Sequence, residues 1–151
     1  NILPKLNKRL PNLEFNIVGK INVFDKFFLT HFSNVRVHGP MTKLDKIVKN
    51  SVCGICNVKI ATGIQMKIST YMSYGLPVIA SENSYPKILL KNKEILVYKN
   101  NKQFIQLILQ LVNNKNIAKM ISKNGFNVLK NKFNLHRAYV KYLKIVCNSI
   151  K

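Results

Sequence analysis

The stretch that decides the fold is ATGIQMKISTYMSYGLPVIAS, Ala61 to Ser81. It follows an apolar run, VCGICNV from Val52 to Val58, and reads strand, turn, helix, turn, strand. The helix is expected over Gly63 to Tyr74. Thr62 is placed to cap it with a hydroxyl, and Gly63 leaves the backbone open to a ligand. At the other end Gly75 matches a helix C-cap, and Pro77 keeps the helix from continuing. The start of such a helix carries amides without intrahelical partners and about half a positive charge. It also lies at the carboxyl end of a parallel strand, where open α/β sheets bind their ligands. Together these make a candidate anion site, with Lys67 expected one turn further in. Tyr71 and Tyr74 read as packing residues of the same helix.

Outward from this segment, short apolar runs alternate with longer amphipathic ones. EFNIV (Glu14 to Val18) ends at Gly19, Val35 to Val37 ends at His38-Gly39-Pro40, and LPVIA (Leu76 to Ala80) and ILVY (Ile95 to Tyr98) complete the strands. Near-continuous Val/Ile/Leu runs are the mark of parallel strands covered on both faces. Phe24 to Phe32, Lys43 to Lys49 and Gly63 to Tyr74 are long enough to carry the chain back between them. Leu3, Leu6 and Leu10 predict an opening helix that ends at Pro11. Beyond the last strand three helical stripes follow. They are Phe104, Leu107, Ile108 and Leu111; Ile117, Met120 and Ile121; and Leu135, Ala138, Tyr139, Tyr142, Leu143, Val146 and Ile150. The expectation is an α/β domain over residues 1–151, a Rossmann-like parallel sheet flanked by helices with a helical C-terminal third.

Composition narrows the partners. The chain has 151 residues, 47% of them apolar, a length that suits one domain with a packed core. Its 25 Lys and Arg against 5 Asp and Glu give a net charge of +20, so anionic partners are favoured. Nucleic acid is disfavoured among them. Arg9, Arg36 and Arg137 are the sole arginines, and the lysines run from Lys5 to Lys151 instead of forming one stripe. Much of the lysine reads as solvated surface. No apolar stretch is long enough for a membrane span, and NILPKLNKRLP lacks the apolar middle of a secretory signal. The expected location is the cytoplasm, with peripheral contact to an acidic membrane on its inner face.

Other chemistries lack their motifs. Neither the GxGxxG of dinucleotide folds nor the GxxxxGK[ST] of P-loops occurs, which removes the usual support for hydride transfer or NTP hydrolysis. Cys53 and Cys56 have CxxC spacing, but no second pair completes a zinc site and Cys147 is distant, so both read as buried thiols. His31, His38 and His136 are isolated; His38 alone sits on a loop that can face a cleft. Glu14, Asp25, Asp45, Glu82 and Glu94 form no close pair of the kind a glycoside hydrolase needs. Glu82 reads as a solvated loop acid. No metal site is expected.

The segment GIQMKISTYMSYGLPVIAS, within the weaker frame of ILPKLNKRLPNLEFNIVGK and NVRVHGPM, resembles the C-terminal, donor-binding domain of GT-B glycosyltransferases. It is most similar to their large retaining family 4, which includes capsule, lipopolysaccharide and exopolysaccharide transferases. The specific part is Thr62 to Ser81, set against the pattern T/E-G-x-x-x-K-x-L-E-x-M-x-x-G-x-PVV/I-x-S. The resemblance implies a nucleotide-sugar donor such as a UDP- or GDP-sugar, with no metal required. It also implies that a first strand and an acceptor-binding domain belong before Asn1, absent here or supplied separately. The chain then resembles a C-terminal fragment that binds donor weakly and transfers little alone.

By the same resemblance Gly63, Ile64 and Gln65 fall where a glycine-rich turn meets the diphosphate or sugar, and Lys67 falls on the pattern's lysine. Thr62 and Thr70 take the places of two glutamates eight residues apart. The second of these holds the ribose hydroxyls in family members. A threonine there supplies a hydrogen bond but no charged acceptor, so a weaker donor grip is expected. Gly19 and Lys20 match the glycine-ended strand at the cleft, with Lys20 as a phosphate candidate. Two other readings compete: a basic, non-enzymatic module for nucleic acid or acidic membrane, and a degenerate, inactive relic of the enzyme.

Overall fold

The structure, a computed structural model, describes residues 2–58 and 65–132. Its elements are α1 (Ile2–Arg9), β1 (Phe15–Val18), α2 (Val23–Thr30), β2 (Val35–His38), α3 (Asp45–Val48), β3 (Gly54–Cys56), α4 (Met66–Ser73), β4 (Val78–Ser81), β5 (Leu96–Tyr98), α5 (Asn101–Asn113) and α6 (Lys115–Lys132). All strand pairings between these elements are parallel, and helices flank the sheets, as the apolar runs predict. The strands fall into two sheets, and the chain divides into two compact units, residues 1–51 and 52–151.

In the first unit β1 and β2 pair from Phe15↔Val35 to Val18↔His38. The Asn34 carbonyl accepts the Phe15 amide at 2.8 Å and extends the ladder by one rung. Leu6 of α1 is fully buried, so the opening leucine stripe finds an apolar seat. Helix α2 starts one residue earlier than its apolar pattern predicts, because Asn22 caps it. The Asn22 side chain accepts the Asp25 amide at 2.7 Å and donates to the Asp25 carboxylate at 2.6 Å. It stops at Thr30, whose hydroxyl donates to the Phe27 carbonyl instead of supporting another turn. The stretch Lys43 to Lys49 yields only the single turn α3.

The second unit is a three-stranded sheet in the order β3-β4-β5. Its middle strand is Val78–Ser81, whose Val78, Ile79 and Ala80 are buried, which is what an uninterrupted apolar run requires of a strand covered on both faces. One core cluster joins Cys56, Ile68, Met72, Val78, Ala80, Leu89, Ile95, Val97 and Val128. Helix α4 contributes Ile68 and Met72, four residues apart on one face. Helix α5 is capped by Asn100, which accepts the Gln103 amide at 3.0 Å, and buries Phe104, Ile105, Ile108 and Leu111. Helix α6 comes close to α4 at Gly125, where a Cβ would lie 3.3 Å from Met72 Cγ and 3.2 Å from the Glu94 carbonyl oxygen. The expected stripe from Leu135 to Ile150 lies outside the described residues.

Candidate functional site

The site begins with the strand that feeds it. Gly54 of β3 is a glycine because Tyr71 of α4 lies on it: a Cβ there would sit 2.2 Å from the Tyr71 ring. Helix α4 thereby rests on β3 at backbone distance. Tyr71 is a packing residue, as expected, and burial pushes its phenol pKa up, with the Cys56 and Cys53 thiols adding to the shift.

Past Cys56 the chain reaches Val58, the last described residue before the segment expected to bind anions. Two serines hold the Val58 peptide from both sides. The Val58 amide donates to Ser84 Oγ at 2.8 Å, and the Val58 carbonyl lies 3.3 Å from Ser84 Oγ and 3.4 Å from Ser81 Oγ. The two hydroxyls bond each other at 2.6 Å. Ser84 is itself buried, and its amide donates to the Ser81 carbonyl at 2.9 Å, closing a turn off the end of β4. Sequence reasoning missed this clamp. Its only trace there is a pair of hydroxyl residues three apart, directly after an apolar strand.

Thr62, Gly63 and Ile64 lie outside the described residues. The helix that follows corrects one expectation: it starts at Met66, not at Gly63, and its N-cap is Gln65, not Thr62. Gln65 has φ −74° and ψ 112°, an extended conformation that cannot sit inside a helix. Its side chain makes no cap bond, while its carbonyl accepts the Ile68 amide at 2.9 Å. Lys67 is therefore in the first turn of α4, a turn nearer the helix start than its sequence position suggests. Helix geometry leaves first-turn amides without intrahelical partners, so Lys67 adds a cationic residue to the positive end of the helix.

Lys67 also acts on the strand beside it. Burial pushes the Cys56 thiol pKa up, while a hydrogen bond with Ser84 and the Lys67 charge pull the other way. Burial pushes the Cys53 thiol further, up to about 12. Both cysteines are free and neither is a thiolate near neutrality; Cys56 is buried as expected, and Cys53 is half-buried. Among the described residues no group of His, Cys, Asp and Glu is arranged to hold a metal ion.

Thr70 lies one turn beyond Met66, half-buried, and its hydroxyl donates to the Met66 carbonyl at 2.9 Å. Its proton is thus used within the helix, and only oxygen lone pairs are left for a ligand. At the far end of α4 the chain turns in a Schellman motif. The Gly75 amide donates to the Met72 carbonyl and the Leu76 amide to the Tyr71 carbonyl, both at 3.0 Å, with Gly75 at φ +69°. The expected C-cap role of Gly75 holds, and Ser122 of α6 donates to its carbonyl. Glu82 is a surface acid near Lys99 at 3.4 Å and Lys91 at 3.8 Å, as a solvated loop residue should be.

Gly19 and Lys20 belong to the first unit. Gly19 has φ +131° and nothing within 4 Å of a would-be Cβ, so the backbone conformation, not crowding, calls for glycine there. Its amide reaches the Gly39 carbonyl at 3.4 Å, joining the ends of β1 and β2. Lys20 is exposed. His38 shares a 2.7 Å hydrogen bond with the Asn16 side chain across the same strand pair.

Residues 1–114 match a protein-family model described as glycosyl transferases group 1. No curated protein matches the chain. Among solved structures, TarM is similar with a TM-score of 0.80 at 21% identity, over 95% of this chain and 30% of that one. A Staphylococcus aureus TarM variant, crystallised with fondaparinux, α-GlcNAc-glycerol and UDP, gives a TM-score of 0.79 at 21% identity, over 95% of this chain and 31% of that one. HepE from Anabaena, in complex with UDP, gives 0.78 at 10% identity over 97% of this chain and 44% of that one. The C-terminal domain of a group 1 glycosyl transferase from Francisella tularensis, LpcC, gives 0.68 at 15% identity, over 89% of this chain and 77% of that one. The fold is that of GT-B glycosyltransferases, and the chain spans about a third of the length of TarM.

Proposed function

The chain belongs to the group 1 glycosyl transferases, and we propose that it supplies the donor half of a retaining enzyme that transfers sugar from a nucleotide sugar. The observation that carries this reading is the presence of Lys67 in the first turn of α4, at the positive end of the helix that follows a strand end clamped by Ser81 and Ser84. When the glycosidic bond to the diphosphate breaks, the electron pair stays on the leaving oxygen. Fixed amides and a cation aimed at that oxygen stabilise the charge as it forms. Gly63, Ile64 and Gln65 are proposed as the amide donors and Lys67 as the cation. Thr62 and Thr70 are proposed as neutral contacts to sugar and ribose. For Gly19 and Lys20 as phosphate contacts the support is the family resemblance alone.

UDP is favoured as the nucleotide because it is the one bound in the TarM and HepE structures. In this reading a separate or preceding domain holds the acceptor, the product enters polysaccharide, lipopolysaccharide or glycan synthesis, and the reaction runs in the cytoplasm without a metal. Among the described residues no helix is long and apolar enough to cross a membrane. Calorimetry tests the reading. UDP is expected to bind weakly and to keep its affinity in EDTA, Lys67→Gln to weaken it about tenfold, and Gly63→Trp to abolish it. Absence of binding by UDP, GDP and their sugars would discard the donor-site assignment.

One observation favours a second reading, in which the chain is an inactive relative. Thr70, in the place of the ribose-binding acid, spends its proton on the Met66 carbonyl. If donor binding persists in this chain, Thr70→Glu is expected to tighten UDP several-fold. No gain would favour the inactive relative.

A further inference from the structure

The most unusual surface of the first unit is on α2. Val23, Phe24, Phe27 and Phe28 are 80%, 88%, 69% and 63% exposed, and the helix buries no residue. At 3.6 residues per turn these four side chains and His31 fall in one sector. Leu29, the only apolar residue of the helix that is partly covered, points the opposite way. The rings support one another: Phe27 packs edge-on against His31 with centroids 4.6 Å apart, and Phe28 against Phe32 at 5.7 Å. This helix is amphipathic with its more aromatic side outward. A contiguous apolar strip of this kind on a helix surface marks a binding face.

Charge decides what it binds. The only acids before Ser51 are Glu14, Asp25 and Asp45. Glu14 is paired with Arg36 at 3.0 Å, and Asp25 is held by Asn22 in the helix cap, off the aromatic sector. Lys20 precedes the strip and Lys26 lies within it in sequence, in a chain of net charge +20. A second copy of such a chain brings like charge to the contact and is repelled. An anionic bilayer satisfies both features, since aromatic rings enter the boundary of the acyl chains while ammonium groups meet lipid phosphates. We propose that the Val23, Phe24, Phe27 and Phe28 face of α2 is a membrane-docking surface that inserts into the interface of an anionic bilayer. It is independent of the nucleotide-sugar reading.

Two measurements test this. In co-sedimentation with vesicles, the chain is expected to bind phosphatidylcholine mixed with phosphatidylglycerol at least tenfold better than phosphatidylcholine alone. Phe24→Ser combined with Phe27→Ser is expected to lower that binding at least tenfold, with unchanged circular dichroism. Because the chain has no tryptophan, Phe27→Trp adds a single reporter that does not depend on the polar variant folding. Its emission should shift to the blue on anionic vesicles and be quenched by brominated lipid. Vesicle binding with an unshifted Trp would assign the contact to lysines elsewhere and overturn the proposal. So would no vesicle binding at all, including the case where sedimentation velocity shows a dimer that the serine substitutions dissociate.

Discussion

Helices α2 and α4 are both eight residues long and both follow a parallel strand, yet they meet their surroundings in opposite ways. VFDKFFLT is the more apolar of the two and buries nothing, whereas MKISTYMS is half polar and buries Ile68 and Met72. The difference lies in what each helix is offered. Helix α2 packs on β2, in a sheet of two strands, while α4 packs on β3, β4 and α6 together. A helix enclosed on three sides becomes part of the core. One lying on a narrow sheet keeps a face free, and the character of that face then reports on function instead of stability.

The sharpest way to break this contrast is to truncate each helix. Met72→Ala removes a fully buried side chain from the second unit's core and is expected to cost about 3 kcal/mol in urea denaturation. An equally large loss from Phe28→Ala in α2 would show that the aromatic face is core after all. Next in size is the seat of α4 on β3. Gly54→Ala places a methyl against the Tyr71 ring and is expected to cost about 2 kcal/mol, unless Tyr71 swings clear.

A pH titration tests the same seat from the strand side. Cys53 keeps its proton up to about pH 12 in the folded chain, whereas an unfolded thiol loses it near pH 8.5. Between those values the unfolded state binds fewer protons, so stability falls as pH rises, by at most about 1.4 kcal/mol per pH unit. Below the unfolded thiol's pKa the contribution is fully present and constant. Denaturation midpoints of Cys53→Ser against the parent over this alkaline range are expected to show a flatter dependence. The smallest effect belongs to α2, where Phe28→Ser is expected to change stability by less than about 0.5 kcal/mol while changing vesicle binding.

Much of the second unit was legible from its residues. The apolar run LPVIA reads as a strand covered on both faces, which forms from Val78, and Gly75 followed by Leu76 and Pro77 reads as a helix end. The start of α4 was misread for a local reason. Thr62 and Gly63 carry the usual signals of a cap and a turn, and nothing in the residue types says that Gln65 stays extended and delays the helix to Met66. The serine clamp was not visible because Val58 meets Ser84 across 26 residues of chain, a contact set by the register of β3 on β4. Thr70 stands in the sequence where the family resemblance implies a glutamate. That its proton turns back on Met66 depends on a rotamer, which spacing does not specify.

By itself the sequence determined the order of strands and helices, their parallel pairing and the family, because apolar runs, glycine at turns and the GIQMKISTYMSYGLPVIAS signature act locally along the chain. Only the tertiary structure decided which of two equal helices is buried, which serines hold the strand end, and where the Phe24, Phe27 and Phe28 rings face. Those outcomes depend on how many neighbours the fold brings to each surface. That is a property of packing between distant segments, on which a helix's own hydrophobicity is silent.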